Sequence, residues 1–313
     1  GGELGVVAAC ACLRVAPECA AVSCSVACTD PASRRLQLQG PLARPRALGR
    51  AAESVGSVMS SNRLLHAMLR VRDINASIAF YEACGMRALS YAERPSGAAT
   101  AFVGYGEYRD AEHFALELAA PSPKSKQATA PVDHGSSFQG ISLAGPEAAA
   151  ALRAGGRTAG PVTDKDPDGY AVSLEPEATL GDSFRSLFLR VSDLEVSRRF
   201  YCEALGMEEQ AVSGSHGVGR LCRLRCGAGG GRGVPCALTL VERPGEGRVE
   251  LGTGFDHLAV STPDVYAAAA ALQSAGVDVF LAPTVMFGIN ITGVRDPDGY
   301  SIYFTEEEGF RRR

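Results

Sequence analysis

His66 and Arg70 stand four residues apart on one face of an extended stretch, and their side chains can do chemistry that the rest of that stretch cannot. In Leu64-Leu65-His66-Ala67-Met68-Leu69-Arg70-Val71-Arg72-Asp73, alternation sends Ala67, Leu69 and Val71 to an apolar face and His66, Met68 and Arg70 to the other. A neutral imidazole can ligate a divalent metal, and a guanidinium can clamp a carboxylate or phosphate. Further along, Phe114, Leu116 and Leu118 share one strand face, which leaves His113, Ala115 and Glu117 on the opposite one. His257 alternates with Ala259 in the same way. Taken singly, each of these residues is explained by a hydrogen-bonded position at a sheet mouth.

The elements that must carry these residues occur twice. The first strand leads through a short helical run to Gly85-Met86, and Phe188-Leu189-Arg190-Val191-Ser192-Asp193 reopens the pattern, running through Phe200-Tyr201 to Gly206-Met207. A duplicated unit in 313 residues implies two related halves, placed at residues 63–178 and 183–308. A net charge of −4 with scattered Lys and Arg argues against a nucleic-acid footprint. No apolar run reaches the roughly 18 residues of a membrane span. Of the ten Cys, Cys84, Cys202, Cys222, Cys226 and Cys236 fall within apolar patterns and read as small buried hydrophobes; Cys222 and Cys226 have no second pair to complete a metal site.

Within each half the order is strand, helix, then several strands. Asp73 and Asp193 are expected N-caps, and Pro146 and Thr262-Pro263-Asp264 open further helices. Strands are expected over 87–93, 98–103, 113–118 and 138–143, and again over 236–241, 255–260 and 301–304. Asp-Pro-Asp-Gly-Tyr occurs as a turn at 166–170 and again at 296–300. Residues 1–62 form an Ala-, Ser-, Cys- and Arg-rich leader that is given no fold. Its composition fits an organelle transit peptide, with a plastid or mitochondrial address. Equally, Met59 directly precedes the first strand, which fits a gene-model extension and a cytoplasmic protein.

With the twofold Leu-Arg-Val, Phe-Tyr and Gly-Met elements, Phe102-Val103-Gly104-Tyr105-Gly106 and the repeated Asp-Pro-Asp-Gly-Tyr, residues 64 to about 306 resemble glyoxalase I and the wider vicinal oxygen chelate superfamily. The resemblance implies an α+β protein of tandem domains, with paired βαβββ modules forming open barrels and a site built between two domains. It also implies a ligand set of His66 and Glu117 from the first half and His257 from the second. Tyr303 falls where the family carries its proton-moving carboxylate. The reciprocal positions are Ser186, Thr239, Gly140 and Ser173, which hold no metal ligand. Arg70, and Arg190 as its counterpart, match the position that binds the glutathione carboxylate. His113 is expected at the rim, and His134 and His216 in solvated loops.

The resemblance further implies one divalent metal ion, zinc or nickel first and manganese or iron next, and a small-molecule substrate. That substrate is the hemithioacetal of methylglyoxal and glutathione, with no nucleic-acid or membrane partner. A monomer suffices, since the tandem halves supply both sides of the site. Two other readings stay open. One is a catalytically degenerate glyoxalase-domain-containing protein that binds a small molecule or protein partner; the shortened span between Gly140 and Asp166 and the stretch Phe138-Gln139-Gly140-Ile141 favour it. The other is a superfamily dioxygenase, although such enzymes place their carboxylate where this chain has Tyr303. An ordinary phenol, with a pKa near ~10, is a poor base at neutral pH.

Overall fold

The computed structural model describes residues 62–106, 113–154, 163–175, 183–211, 219–226, 236–286 and 288–306. His216, residues 1–61 of the leader and most of the link between the halves lie outside them. The first half contributes β1 (Arg63–Arg70), β2 (Arg87–Glu93), β3 (Ala99–Gly104), β4 (Ala115–Ala120), β5 (Phe138–Leu143), β6 (Thr163–Lys165) and β7 (Ala171–Leu174). The second contributes β8 (Phe184–Val191), β9 (Met207–Gln210), β10 (Arg220–Cys226), β11 (Ala237–Glu242), β12 (Phe255–Thr262), β13 (Asp278–Met286), β14 (Ile289–Arg295) and β15 (Ser301–Glu306).

These strands form two open sheets that exchange modules between the halves. The eight-stranded sheet runs β13-β14-β15-β12-β1-β4-β3-β2, and the seven-stranded one runs β6-β7-β5-β8-β11-β10-β9. β1 therefore pairs antiparallel with β12 from the far half and parallel with β4 from its own. The apolar parity read from β1 holds: Ala67, Leu69 and Val71 lie in one continuous buried cluster with Leu187, Leu189 and Val191 of the second copy.

The helix starts reflect local chemistry. Asp73 caps α1 (Ile74–Ala83), its carboxylate accepting the backbone N–H groups of Asn75 and Ala76 at 3.0 and 3.1 Å. Asp193 does the same for Glu195 and Val196, at 3.0 and 3.1 Å. The helix that Asp193 opens differs from α1 in closing with a π turn over Phe200–Ala204.

The repeated turn is a staple. In the first copy Asp166 accepts the N–H groups of Asp168 and Tyr170, both at 2.9 Å, and the Tyr81 hydroxyl at 2.9 Å. Tyr170 then donates to the Arg70 carbonyl at 2.8 Å, tying the turn to the end of β1. In the second, Asp296 accepts from Asp298, Tyr300 and Tyr201 at 2.9, 2.8 and 3.0 Å, and Tyr300 donates to the Arg190 carbonyl at 2.8 Å. Gly169 and Gly299 take φ of +95° and +93°, where a Cβ would strain the turn.

The halves differ where the sequence is shorter. Between its second helix and last strand, the second half builds both β13 and β14. Among the described residues the first half has only β6 there, which pairs with β7 as β14 pairs with β15. Among the described residues, the seven-stranded sheet thus shows no strand in the edge place that β13 takes in its counterpart.

Candidate metal centre

The site is set by strand register. Met68 on β1 is the Cα partner of Glu117 on β4 and of His257 on β12. His66, two residues back on the same face, partners Ala115 and Ala259, and Ala259 in turn partners Tyr303. The side chains of His66, Glu117 and His257 converge, with one ligand atom from each lying within 4.8 Å of the others. His66 Nε2 is 3.2 Å from Glu117 Oε2, and His257 Nε2 is 4.0 Å from the same oxygen. All three are buried, at 2%, 0% and 0% exposure.

The donor set fits a divalent metal. Two imidazoles and a carboxylate match the N/O preference of zinc, nickel, manganese and ferrous ions and leave positions open for water or substrate. Neither Glu117 oxygen accepts a hydrogen bond, although both are buried. Burying an ionised carboxylate costs several kcal/mol unless a cation and hydrogen bonds compensate it, so this environment suits a positive charge at the triad. The tautomer of His257 is also arranged for ligation. Its Nδ1 lies 3.1 Å from Asp256 Oδ1, and because a carboxylate only accepts, Nδ1 carries the proton and Nε2 keeps its lone pair.

Asp256 is the site residue that alternation misses, since it should face away from its neighbour His257. The β1–β12 register slips between Met68↔His257 and Leu69↔Phe255, leaving Asp256 as the extra residue of a bulge. A second slip, between Leu64 and His66, places Leu65 against Ala259 in a small buried cluster of its own.

Around the triad the His66 ring meets Phe102 edge-on at 5.0 Å, and the Tyr303 ring meets His257 at 4.9 Å and Phe280 at 5.5 Å. Tyr303 is buried, in the row immediately beside the triad. Arg70 sits at the rim: Nε donates to the Thr253 carbonyl at 3.1 Å, Nη1 to Gln127 at 2.6 Å, and Nη2 lies 3.9 Å from Asp256.

Arg190, the counterpart of Arg70, lies inside the protein. It is 2% exposed, with Nη1 donating to Ser136 Oγ and the Arg248 carbonyl at 2.7 and 3.2 Å and Nη2 to the Gly247 carbonyl at 2.8 Å. With Glu246 3.4 Å from Nε, this guanidinium is committed to holding two loops together inside the protein. His134 is not a solvated loop residue either; its Nε2 pairs with the Asp168 carbonyl at 3.0 Å and its ring packs edge-on against Tyr170 at 4.6 Å. His113 precedes β4 and is half-buried, outside the triad. Cys222 and Cys226 are free thiols on the core face of β10, both pushed up to about 12 by burial, and neither is disposed to ligate.

The same register relations locate the reciprocal positions. Ser186 pairs with Ala237 as His66 pairs with Ala115, and Phe188 partners Thr239 and Gly140 as Met68 partners Glu117 and His257. Ser173 partners Ser142 as Tyr303 partners Ala259. Hydroxyls replace the ligands here: Ser186 Oγ and Thr239 Oγ1 lie 2.6 Å apart. Gly140 adopts φ +122°, and a Cβ on it would stand 2.4 Å from the Ala171 carbonyl oxygen.

This chain is therefore an α+β protein whose open sheets bring a buried His/Glu/His cluster together from both sequence halves. Residues 183–304 match the Glyoxalase/Bleomycin resistance protein/Dioxygenase superfamily. A probable lactoylglutathione lyase of Vibrio parahaemolyticus is 37% identical over 116 residues, spanning 36% of this chain and 83% of that protein. A probable chloroplastic lactoylglutathione lyase of Arabidopsis thaliana is 29% identical over 267 residues, 79% of this chain and 74% of that protein. Glyoxalase I from Zea mays shares the fold with a TM-score of 0.69 at 27% identity, covering 80% of this chain and 95% of that one. The chain belongs to the glyoxalase, or vicinal oxygen chelate, superfamily and has the two-domain glyoxalase I-like architecture.

Proposed function

We propose that this protein is a metal-dependent lyase that isomerises the hemithioacetal of methylglyoxal and glutathione to S-lactoylglutathione, using the composite site on the eight-stranded sheet. The observation that carries this reading is the convergence of His66, Glu117 and His257 around a buried carboxylate that accepts no hydrogen bond. The names of the relatives support the substrate. A divalent ion held by these three residues, zinc or nickel first and manganese or iron next, would supply a Lewis acid for negative charge developing on the substrate oxygens.

The chain's own residues do the rest. Asp256 holds His257 in the ligating tautomer, while Leu65, Phe102 and Ala259 keep water from the triad. Arg70, 15% exposed at the rim, offers positive charge to a substrate carboxylate. Tyr303 stands where a proton must leave or return at the substrate carbon. Its phenol in place of a carboxylate also favours a second reading, in which the site binds a related small molecule with slow or no turnover. The leader composition and the chloroplastic name of the Arabidopsis relative support a plastid address, which import into isolated chloroplasts would test.

Metal content and lactoylglutathione formation, measured on one preparation of the full chain loaded in turn with zinc, nickel, manganese and ferrous iron, separate the two readings. About one ion per chain with turnover establishes the lyase, whereas about one ion without turnover moves the assignment to the binding protein.

A further inference from the structure

The positions equivalent to the triad, on the seven-stranded sheet, have not collapsed into apolar core. Ser142, Ser186 and Thr239 form a buried hydroxyl floor, and the side chains around it are basic. Arg223 partners Thr239 on β10 as Phe102 partners Glu117 on β3. Arg225 lies two residues further along the same face, since Cys222, Leu224 and Cys226 take the core parity. Arg185 occupies the bulge between the Ser142↔Ser186 and Leu143↔Phe184 pairs, the place that Leu65 fills in the other sheet. Where one composite site gathers a carboxylate and two imidazoles in an apolar frame, its counterpart gathers three guanidinium groups over hydroxyls.

One anion is already built in. Glu175 accepts from Ser142 Oγ at 2.6 Å and lies 3.3 Å from Arg223 Nη2, which also reaches the Arg185 carbonyl at 3.3 Å. Glu175 is thus engaged by Arg223, and Arg225 stands beside that pair. Arg225 makes no ion pair among the described residues, and its buried Nε has no hydrogen-bond partner. Burial and the neighbouring Arg223 both lower its pKa, a measure of how closely the cations crowd. Arg185, Arg223, Arg225, Ser173 and Glu175 are all half-buried, so water reaches the cluster from one side.

We infer that this face of the seven-stranded sheet is an anion-binding site, with Arg225 and Arg223 as the clamp and Thr239 as a hydroxyl partner, suited to a small carboxylate or phosphate. A planar guanidinium matches either group with paired N–H donors; Ser186 Oγ also donates to the Ala237 carbonyl at 3.1 Å, so Thr239 is the hydroxyl that can turn to donate to an anion. The site is independent of the metal centre and of the reaction proposed there.

The test is calorimetric titration of the full chain with inorganic phosphate and, separately, with succinate, at ionic strength matched by chloride. At least one probe is expected to saturate with a Kd on the order of 1 mM, and whichever binds tighter identifies the anion class. Arg225→Gln should weaken that binding about tenfold or more while metal content stays unchanged, and Glu117→Gln should leave it intact. As a check that needs no variant, the saturating probe should slow phenylglyoxal modification of Arg225 in the wild-type chain, read by peptide mass spectrometry. No saturation above chloride, unchanged affinity in Arg225→Gln, loss of binding in Glu117→Gln, or modification of Arg225 unaffected by the probe would each overturn the assignment.

Discussion

Asp256 Oδ1 lies 3.1 Å from His257 Nδ1, and the other oxygen of the same carboxylate is 3.9 Å from Arg70 Nη2. A rim cation, a half-buried acid and a buried imidazole therefore form one chain ending at Glu117. The acid fixes which ring nitrogen of His257 can bind a metal. Replacing Asp256 with Asn removes the charge and allows the ring to flip its proton, so metal affinity should fall about 10- to 100-fold. Competition against a chromophoric chelator measures this. Unchanged affinity would show that the tautomer is set elsewhere.

The register equivalence between the sheets makes a paired prediction. Glu117→Gln and His257→Ala should each abolish stoichiometric metal binding, because they remove ligands from the triad. Thr239→Ala and Ser173→Ala, at reciprocal positions, should leave metal content at the wild-type level. Equal content in all four variants would sink the composite site.

Much of this was legible from side-chain parity. The alternation that separates His66 and Arg70 from Ala67, Leu69 and Val71 is a property of any pleated strand, and the repeat places Glu117 and His257 on matching faces. What parity could not show comes from departures from it. Asp256 and Leu65 face the site only because bulges interrupt β12 and β1, and no local signal marks either. The exchange of modules between sheets depends on long-range pairing of β1 with β12, which a repeat alone leaves undetermined. Arg190 reads like Arg70 in sequence, yet the carbonyls of Gly247 and Arg248 consume its donors. Nothing before the fold indicates that those carbonyls converge there.

The backbone at Gly140 leaves no room for a metal-ligating side chain at the position reciprocal to His257. At φ +122°, with the Ala171 oxygen 2.4 Å from where a Cβ would stand, no L side chain fits without moving β7. Gly140→Ala should therefore destabilise the protein by about 1–3 kcal/mol or more in urea unfolding. By the same reasoning, combining Ser186→His, Thr239→Glu and Gly140→His should not create a second metal site. A variant of wild-type stability binding about two ions per chain would show that the backbone relaxes.

The staple at Asp296 predicts a pH dependence. Its carboxyl is pushed up to about 7, chiefly by burial and next by the neighbouring Asp298, against an ordinary value near ~4. The folded state thus holds this proton more tightly than the unfolded one. Its stabilising contribution is complete below about pH 4 and is lost as pH rises through about 7, by an amount on the order of a few kcal/mol. Urea midpoints of chelator-treated protein should fall over this window, and Asp296→Asn, which keeps an acceptor for the N–H groups of Asp298 and Tyr300, should flatten the fall. An equally steep profile in the variant would place the titration elsewhere.

Tyr303 decides how fast the proposed chemistry can run. It is buried in the row next to the triad, its ring against His257 and Phe280, where a carboxylate would stand close to the triad. A positioned base of suitable pKa contributes roughly 10²- to 10⁴-fold to a proton transfer, and an ordinary phenol is protonated at neutral pH. Tyr303→Glu should therefore raise lactoylglutathione formation per bound metal by about tenfold or more, mainly in kcat, because the base acts in the transition state and contributes little to ground-state binding. It should also lower stability by about 1–3 kcal/mol, since a polar group replaces a packed ring beside Phe280. Metal content and a melting curve on the same sample separate these effects. A folded, metal-loaded Tyr303→Glu protein with no gain in turnover would mean that this phenol is not what limits the site, and would favour the reading in which the centre binds its ligand without transforming it.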